Sequence, residues 1–172
     1  MEQKYEPGPE WYAVHLKSRH EFKVADRLAM KGIEAFLPQV ERVRKWKDRK
    51  KLITFPLFPG YIFVHTTSES KNLLSVLKVA GVVRIISTIP GEPDPIPEEQ
   101  ILSLKKLVEN KGELDPYPYL NEGQKVRITK GPLNGVEGIL VEKLDKHVLV
   151  LSVDVLRQGV ALTINAADVE KI

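Results

Sequence analysis

The sequence predicts an α+β protein in two parts: an α/β sandwich of mixed, mainly antiparallel sheet flanked by helices, followed by a small β-barrel. Three observations carry this. Apolar residues switch between strand-like and helix-like periods up to about residue 110. A proline-containing polar stretch, Lys111 to Pro118, then interrupts the pattern. Beyond it only short strand-like runs occur, without any helical period.

The first element is extended, because Trp11-Tyr12-Ala13-Val14-His15-Leu16 is rich in β-favouring side chains. Ser18 and Glu21 then stand at capping-box spacing before a helix with Phe22, Ala25 and Ala29 on one face and Val24 and Leu28 beside it. Gly32 closes that helix. Ala35-Phe36-Leu37 opens a long hairpin that runs out to a basic tip and returns through Leu52-Ile53-Thr54-Phe55. Pro59-Gly60 marks a tight turn, and Tyr61-Ile62-Phe63-Val64 reads as a central strand buried on both faces. Leu73, Leu74 and Leu77 give a second helix between Ser70 and Ala80, and Val82 to Ile86 returns as a strand. Pro90, Pro93, Pro95 and Pro97 break regular structure; Pro97 then sits as a first helical residue before an apolar stripe of Ile101, Leu104 and Val108. The expected division is 8–112 for the sandwich, 113–119 for a linker and 120–172 for the barrel, with strands at Lys125 to Ile128, Val136 to Glu142, His147 to Val153 and Val160 to Ile164.

Composition narrows the function. The chain has no cysteine and four scattered histidines, so disulfides, thiolate zinc sites and iron–sulfur clusters are excluded and no metal or other cofactor is expected. No apolar run is long enough to span a bilayer, and Met1-Glu2-Gln3-Lys4 opens without an apolar signal region; a soluble, cytoplasmic chain is expected. The net charge of +3 is unevenly spread: residues 1 to 112 carry 19 Lys+Arg against 14 Asp+Glu, while 113 to 172 carry 7 against 9. Arg42 to Lys51 concentrates seven cations and one anion around Trp46, which is either a polyanion footprint or a charged, solvated tip. No Gly-rich phosphate loop, cysteine nucleophile or recognisable Ser/His/acid spacing is present, so no enzyme is expected.

Several segments carry a family resemblance. Trp11-Tyr12, Phe36-Leu37-Pro38 and above all Phe55-Pro56-Leu57-Phe58-Pro59-Gly60-Tyr61-Ile62-Phe63-Val64 resemble the N-terminal domain of the NusG transcription elongation factors. Gly123 to Gly138, reading GQKVRITKGPLNGVEG, is similar to a KOW motif, in which Gly123, Val126, Gly131, Pro132, Gly135 and Gly138 are expected to be structural. The resemblance implies an SH3-like, five-stranded barrel for the second part. It also implies a monomer that binds RNA polymerase through the clamp helices of the largest subunit, with His15, Pro56, Phe58, Pro59 and Tyr61 as candidate contacts around an exposed apolar depression. Lys17, Arg19, His20, Lys23 and Arg27 are candidate contacts to non-template DNA or nascent RNA, against the alternative of an ordinary solvated helix face.

Asp115-Pro116-Tyr117-Pro118-Tyr119-Leu120 resembles the UpxY and RfaH-like branch of operon-specific antiterminators. Where the general factor carries a loop aromatic for Rho or a small-subunit ribosomal protein, this chain has Val155 and Leu156. That departure speaks against Rho; the pair serves either an apolar contact with the ribosomal protein or the barrel core. The His65-Thr66-Thr67 triplet is treated as coincidental, and the β-favouring Val148 to Val153 implies a barrel rather than a helical state. The alternatives to an operon-specific antiterminator are the general elongation and termination factor and, in a different class, a KOW-containing ribosomal-type RNA-binding protein. The net negative charge of the second part speaks against the last.

Overall fold

The computed structural model describes residues 7–110 and 112–172. The expectation about Met1 to Lys4 therefore lies outside the described residues, as does Lys111. The elements are β1 (Glu10–Leu16), α1 (Glu21–Met30), β2 (Glu34–Phe36), β3 (Gln39–Lys45), β4 (Lys50–Pro56), β5 (Tyr61–Thr66), α2 (Ser70–Leu77), β6 (Val82–Ile85), β7 (Pro95–Ile96), α3 (Glu98–Glu109), β8 (Leu114–Pro118), β9 (Gln124–Ile128), β10 (Glu137–Lys143), β11 (Lys146–Val153), β12 (Gln158–Ile164) and β13 (Val169–Lys171). Two compact units emerge, Met1–Leu37 with Pro59–Glu98, and Pro38–Phe58 with Glu99–Ile172.

The first unit is built on the sheet β2-β5-β1-β6, with β7 also pairing β1. As expected, β5 is interior. The sheet is not mixed: each of its pairings is antiparallel. Alternation sends Tyr12, Val14 and Leu16 of β1 and Ile62 and Val64 of β5 to one face, where they form a core with Val24 and Leu28 of α1 and with Val76 and Val79. The proline-rich stretch is less irregular than expected, since Pro95 and Ile96 lie opposite Tyr12 and Trp11. A two-residue edge strand needs few amides, so proline is tolerated there.

The helices start and face differently from the expectation. Residue His20 is the N-cap of α1 and makes no side-chain cap bond, and Ser18 does not serve the helix. The buried face of α1 is Glu21, Val24 and Leu28, while Phe22 is 43% exposed. On α2 the buried residue is Val76, with Leu74 and Leu77 turned outward. Helix α3 begins one residue after Pro97, and its buried stripe is Ile101, Leu104 and Leu107 rather than Val108. On α3 Ile101 and Leu104 are buried as expected and only the third position moves, while on α1 and α2 the packing partner selects a neighbouring apolar row.

The second unit holds a six-stranded antiparallel sheet, β13-β9-β10-β11-β12-β8, and the separate β3-β4 hairpin. Four strands fall where the sequence placed them; β13 is added after the 3-10 turn Ala166–Asp168. The stretch expected as a linker contains β8, whose residues pair with β12 from Leu114↔Leu162 to Pro118↔Gln158. The compact units thus fall differently from 8–112 and 120–172. Hydrogen bonds give the reason: Arg42 Nη2 donates to Leu114 O and Asp115 Oδ1 (both 3.0 Å), Gln100 Nε2 to Asp154 Oδ2 (3.0 Å), and Lys106 Nζ to Asn134 O (2.9 Å). Val148, Val150 and Ala161 centre one core cluster, against which Tyr117, Leu120 and Val141 pack.

Two KOW glycines are sterically required. A Cβ on Gly138 would lie 2.6 Å from Val150 O, where β10 and β11 approach, and one on Gly123 would lie 2.7 Å from Ile139 Cγ2 with φ at +132°. Gly131 and Gly135 need only their positive φ, +73° and +89°, in the loop around Pro132, and Val126 is buried beneath.

Candidate functional site

In the first unit, the face of the sheet opposite α1 and α2 carries Trp11, Ala13 and His15 of β1 and Tyr61, Phe63 and His65 of β5, as strand alternation requires. Trp11, Ala13 and Phe63 are buried. Toward one end the face opens: His15 stands opposite Tyr61 on one side and opposite Arg84 of β6 on the other. The His15 and Tyr61 rings are 5.3 Å apart and tilted by 31°. Both are half-buried and Arg84 is exposed, so phenol, imidazole and guanidinium form a row across three strands. Arg84 had no signal in the linear sequence, because its neighbour on the sheet is 69 positions away.

Backbone geometry holds this end in place. Gly60 turns with φ at +83°, its carbonyl accepts the Leu16 amide at 2.8 Å, and its own amide donates to Glu21 Oε1 at 2.8 Å. Glu21 is thereby a buried carboxylate at 6% exposure, anchoring the Pro59–Gly60 turn to the start of α1. Sequence reasoning cast it as a capping-box acid; the local spacing was compatible with both roles.

The apolar contacts expected from the sequence divide. Pro59 is exposed, and Pro56, Tyr61 and His15 are half-buried. Phe58 is 2% exposed and Leu57 3%, which corrects the expectation of Phe58 as an exposed contact. Leu57 and Phe58 follow the end of β4 and are both turned into the interior, where a large aromatic contributes by packing.

The cations expected to meet nucleic acid cluster at the β1–α1 connection and along α1. Lys17, Arg19 and Lys23 are exposed, with Arg19 at φ +61°, and half-buried His20 has Nδ1 2.8 Å from Ser18 O. Arg27 is exposed but engaged: its Nη1 donates to Ala80 O at 2.6 Å. Lys31, not singled out from the sequence, donates to Ser75 O at 3.3 Å. These two therefore serve carbonyls at and beyond the end of α2, where a helix favours cations, and Lys17, Arg19 and Lys23 are left turned to solvent.

In the second unit, Val155 and Leu156 lie in the 3-10 turn Asp154–Leu156, and Arg157 follows in the left-handed region. Leu156 is buried at 8% exposure and Val155 half-buried, so Leu156 is turned into the interior of the second unit and is not a loop-tip contact. Polar order surrounds the turn: Tyr119 Oη donates to Asp154 Oδ1 at 2.8 Å, and the Arg157 guanidinium lies 4.5 Å over the Tyr119 ring. The hydrogen bond to Asp154 holds the Tyr119 hydroxyl above its usual pKa. Among the described residues no cluster of His, Asp and Glu could hold a metal ion, and no helix is long and apolar enough to cross a membrane.

Comparison with known proteins agrees with this architecture. The family model described as transcription termination factor NusG matches residues 9–105, more than half of the chain. The chain is 26% identical to the transcription termination/antitermination protein NusG of Borreliella burgdorferi, over 94% of this chain and 98% of that protein. It is 28% identical to the protein of the same name from Campylobacter jejuni, over 94% and 97%. A solved structure described as "Domain interaction in Thermotoga maritima NusG" shares the fold with a TM-score of 0.55 at 22% identity, covering 95% of this chain and 97% of that one. With the family model matching the segment that forms the first sheet and the Pro59–Gly60 turn, this chain belongs to the NusG family of transcription termination factors.

Proposed function

We propose that the chain is a transcription termination/antitermination factor that binds RNA polymerase during elongation and suppresses pausing and termination. The observation that carries this is the open end of the first sheet, where Tyr61, His15 and Pro59 present a small apolar surface rimmed by Arg84. Such a surface suits the clamp helices of the largest polymerase subunit, and a factor bridging the clamp across the DNA cleft stabilises the elongating state by binding it preferentially. Lys17, Arg19 and Lys23, with His20, supply phosphate contacts to exposed non-template DNA or nascent RNA, giving affinity without base choice.

The barrel is a tethered second module, whose effective concentration near its partner follows from its attachment to the polymerase-bound part. With Leu156 buried, half-buried Val155 offers only a small apolar contact, which favours a small-subunit ribosomal protein over Rho. The chain acts as a monomer in the cytoplasm, without catalysis. Within the family the segment Asp115 to Leu120 supports an operon-specific antiterminator of the UpxY and RfaH-like type, while the names of the curated relatives favour the general factor.

The test is retention of the chain on purified bacterial core polymerase, comparing wild type with Tyr61→Ala and His15→Ala. Loss of retention by variants that remain folded at the assay temperature supports the reading; full retention by both variants overturns it. A pause assay adds direction: the wild type shortens pauses, and lengthened pauses contradict the mechanism. Genome-wide occupancy confined to a few gene clusters marks the specialist, and uniform occupancy the general factor.

A further inference from the structure

The β3-β4 hairpin is a two-stranded ribbon of its own, since among the described residues neither strand pairs with a third. Its register places Lys45 opposite Lys50 and Arg44 opposite Lys51. Directly opposed residues share a face, and successive residues alternate, so the first pair lies on one face of the ribbon and the second on the other. Trp46 and Arg49 close the turn, with the Trp46 amide donating to Arg49 O at 2.8 Å; between them stand Lys47 and Asp48. Trp46 is 58% exposed, and Lys45, Lys47, Arg49, Lys50 and Lys51 are all exposed. None of these five cations forms an ion pair among the described residues.

Like charges directly opposed across a ladder are destabilising, and this hairpin accepts them twice. A tip charged only for solubility does better with Lys opposite Glu, as mixed-sign pairs keep the charge without the repulsion. Beside a polyanion the same cations become a source of attraction on both faces. A ligand docking on a flat patch needs cations on one face; cations on both faces fit a ligand that flanks the ribbon on both sides. The major groove of B-form DNA does this, because it is about 12 Å wide, admits a two-stranded β-ribbon and is walled by two phosphate chains. A strand of seven residues is about 23 Å long, enough to reach the groove floor, which is about 8.5 Å deep. The A-form major groove of duplex RNA is too narrow for side chains to enter.

We infer that the β3-β4 hairpin is a second nucleic-acid site, binding double-stranded DNA through its major groove, with the cations of both faces on the two phosphate walls and Trp46 leading. This site is on a different element from the α1 cations and requires no polymerase, so it stands or falls apart from the reading above.

The experiment is fluorescence anisotropy of the full chain with a labelled DNA duplex of about 20 base pairs, with the same-sequence single strand and RNA duplex as separate probes, across a salt series. The test variant combines Lys45→Gln, Lys47→Gln, Arg49→Gln and Lys50→Gln. A charge-matched control combines Lys71→Gln, Lys78→Gln, Lys146→Gln and Lys171→Gln. The expected result is tighter binding to the DNA duplex than to either other probe, at least tenfold weaker binding by the hairpin variant, and a log–log salt slope shallower by about 3 to 4. The control stays within about threefold of wild type, and circular dichroism of both variants matches wild type. Equal loss in hairpin variant and control reduces the effect to net charge and overturns the inference. So does undiminished duplex binding by the hairpin variant, or equal affinity for single strand or RNA duplex.

Discussion

The Glu21 carboxylate accepts the Gly60 amide at 2.8 Å, joining the first turn of α1 to the turn that launches β5. The bond is part-buried, its donor is backbone, and its acceptor lies 39 positions away. Replacing Glu21 by Ala leaves the amide without this acceptor, which costs about 1–3 kcal/mol. Glu21→Gln keeps an oxygen acceptor and loses less. Urea unfolding of both variants checks this, and equal losses would contradict it, because Gln retains the oxygen acceptor that Ala lacks.

Phe58 and Tyr61 separate stability from binding. Phe58→Ala empties a core position and lowers stability by about 3–5 kcal/mol. Tyr61 is half-buried at the open end of its sheet, so Tyr61→Ala lowers stability by less, while retention on polymerase drops. Thermal or denaturant melts run beside the retention assay give both numbers for each variant.

Alkaline pH acts through Tyr12. Burial, reinforced by the hydrogen bond its hydroxyl donates to Glu10 Oε2 at 3.1 Å, raises its pKa from 10.0 to about 12. The folded state thus holds this proton after the unfolded state has released it. Its contribution is fully present below pH 10 and lost as pH climbs toward 12. Tyr12→Phe removes the titration, so its stability should fall less than the wild type's across that interval; parallel pH profiles would rule the mechanism out.

Gly138→Ala should be severe, since its methyl would meet Val150 O at 2.6 Å and Leu149 at 3.0 Å. Backbone cannot yield as a flexible side chain does, and a loss of more than about 2 kcal/mol is expected. The same change at Gly131 meets nothing within 4 Å and pays only for φ at +73°, about 1 kcal/mol. Comparison of the two midpoints tests the difference.

The β10–β11 turn offers a gain. Leu144 and Asp145 both take positive φ, +48° and +59°, as a two-residue hairpin turn of this hand requires. Leu144 is also 88% exposed, so it has little packing to lose. Leu144→Asn should raise stability by about 0.5–1 kcal/mol, read as a higher unfolding midpoint with unchanged secondary structure.

Much of this was legible in the order of residues. The strand, helix and hairpin patterns of the first hundred positions, the Pro59–Gly60 turn and four strands of the second sheet follow from local periodicity and turn chemistry, which depend on neighbours in the chain. The unbroken aromatic and β-branched run Tyr61 to Val64 placed β5 inside the sheet, as the strand order has it. Local spacing failed where one pattern served two roles: Ser18 and Glu21 have capping-box spacing, yet Glu21 satisfies Gly60. Strand β8 was missed for a related reason, because Pro116 and Pro118 argue against a strand until β12 supplies a partner along its edge.

The sequence by itself determined the element types, the charge asymmetry and the family motifs, since these reside in residues a few positions apart. Only the tertiary structure decided that Phe58 and Leu156 are withdrawn into the interior, that Arg27 is engaged with Ala80, and that Tyr61, His15 and Arg84 stand in one row. Burial and cross-strand adjacency are properties of which surfaces meet, and no residue carries that information without its distant neighbour.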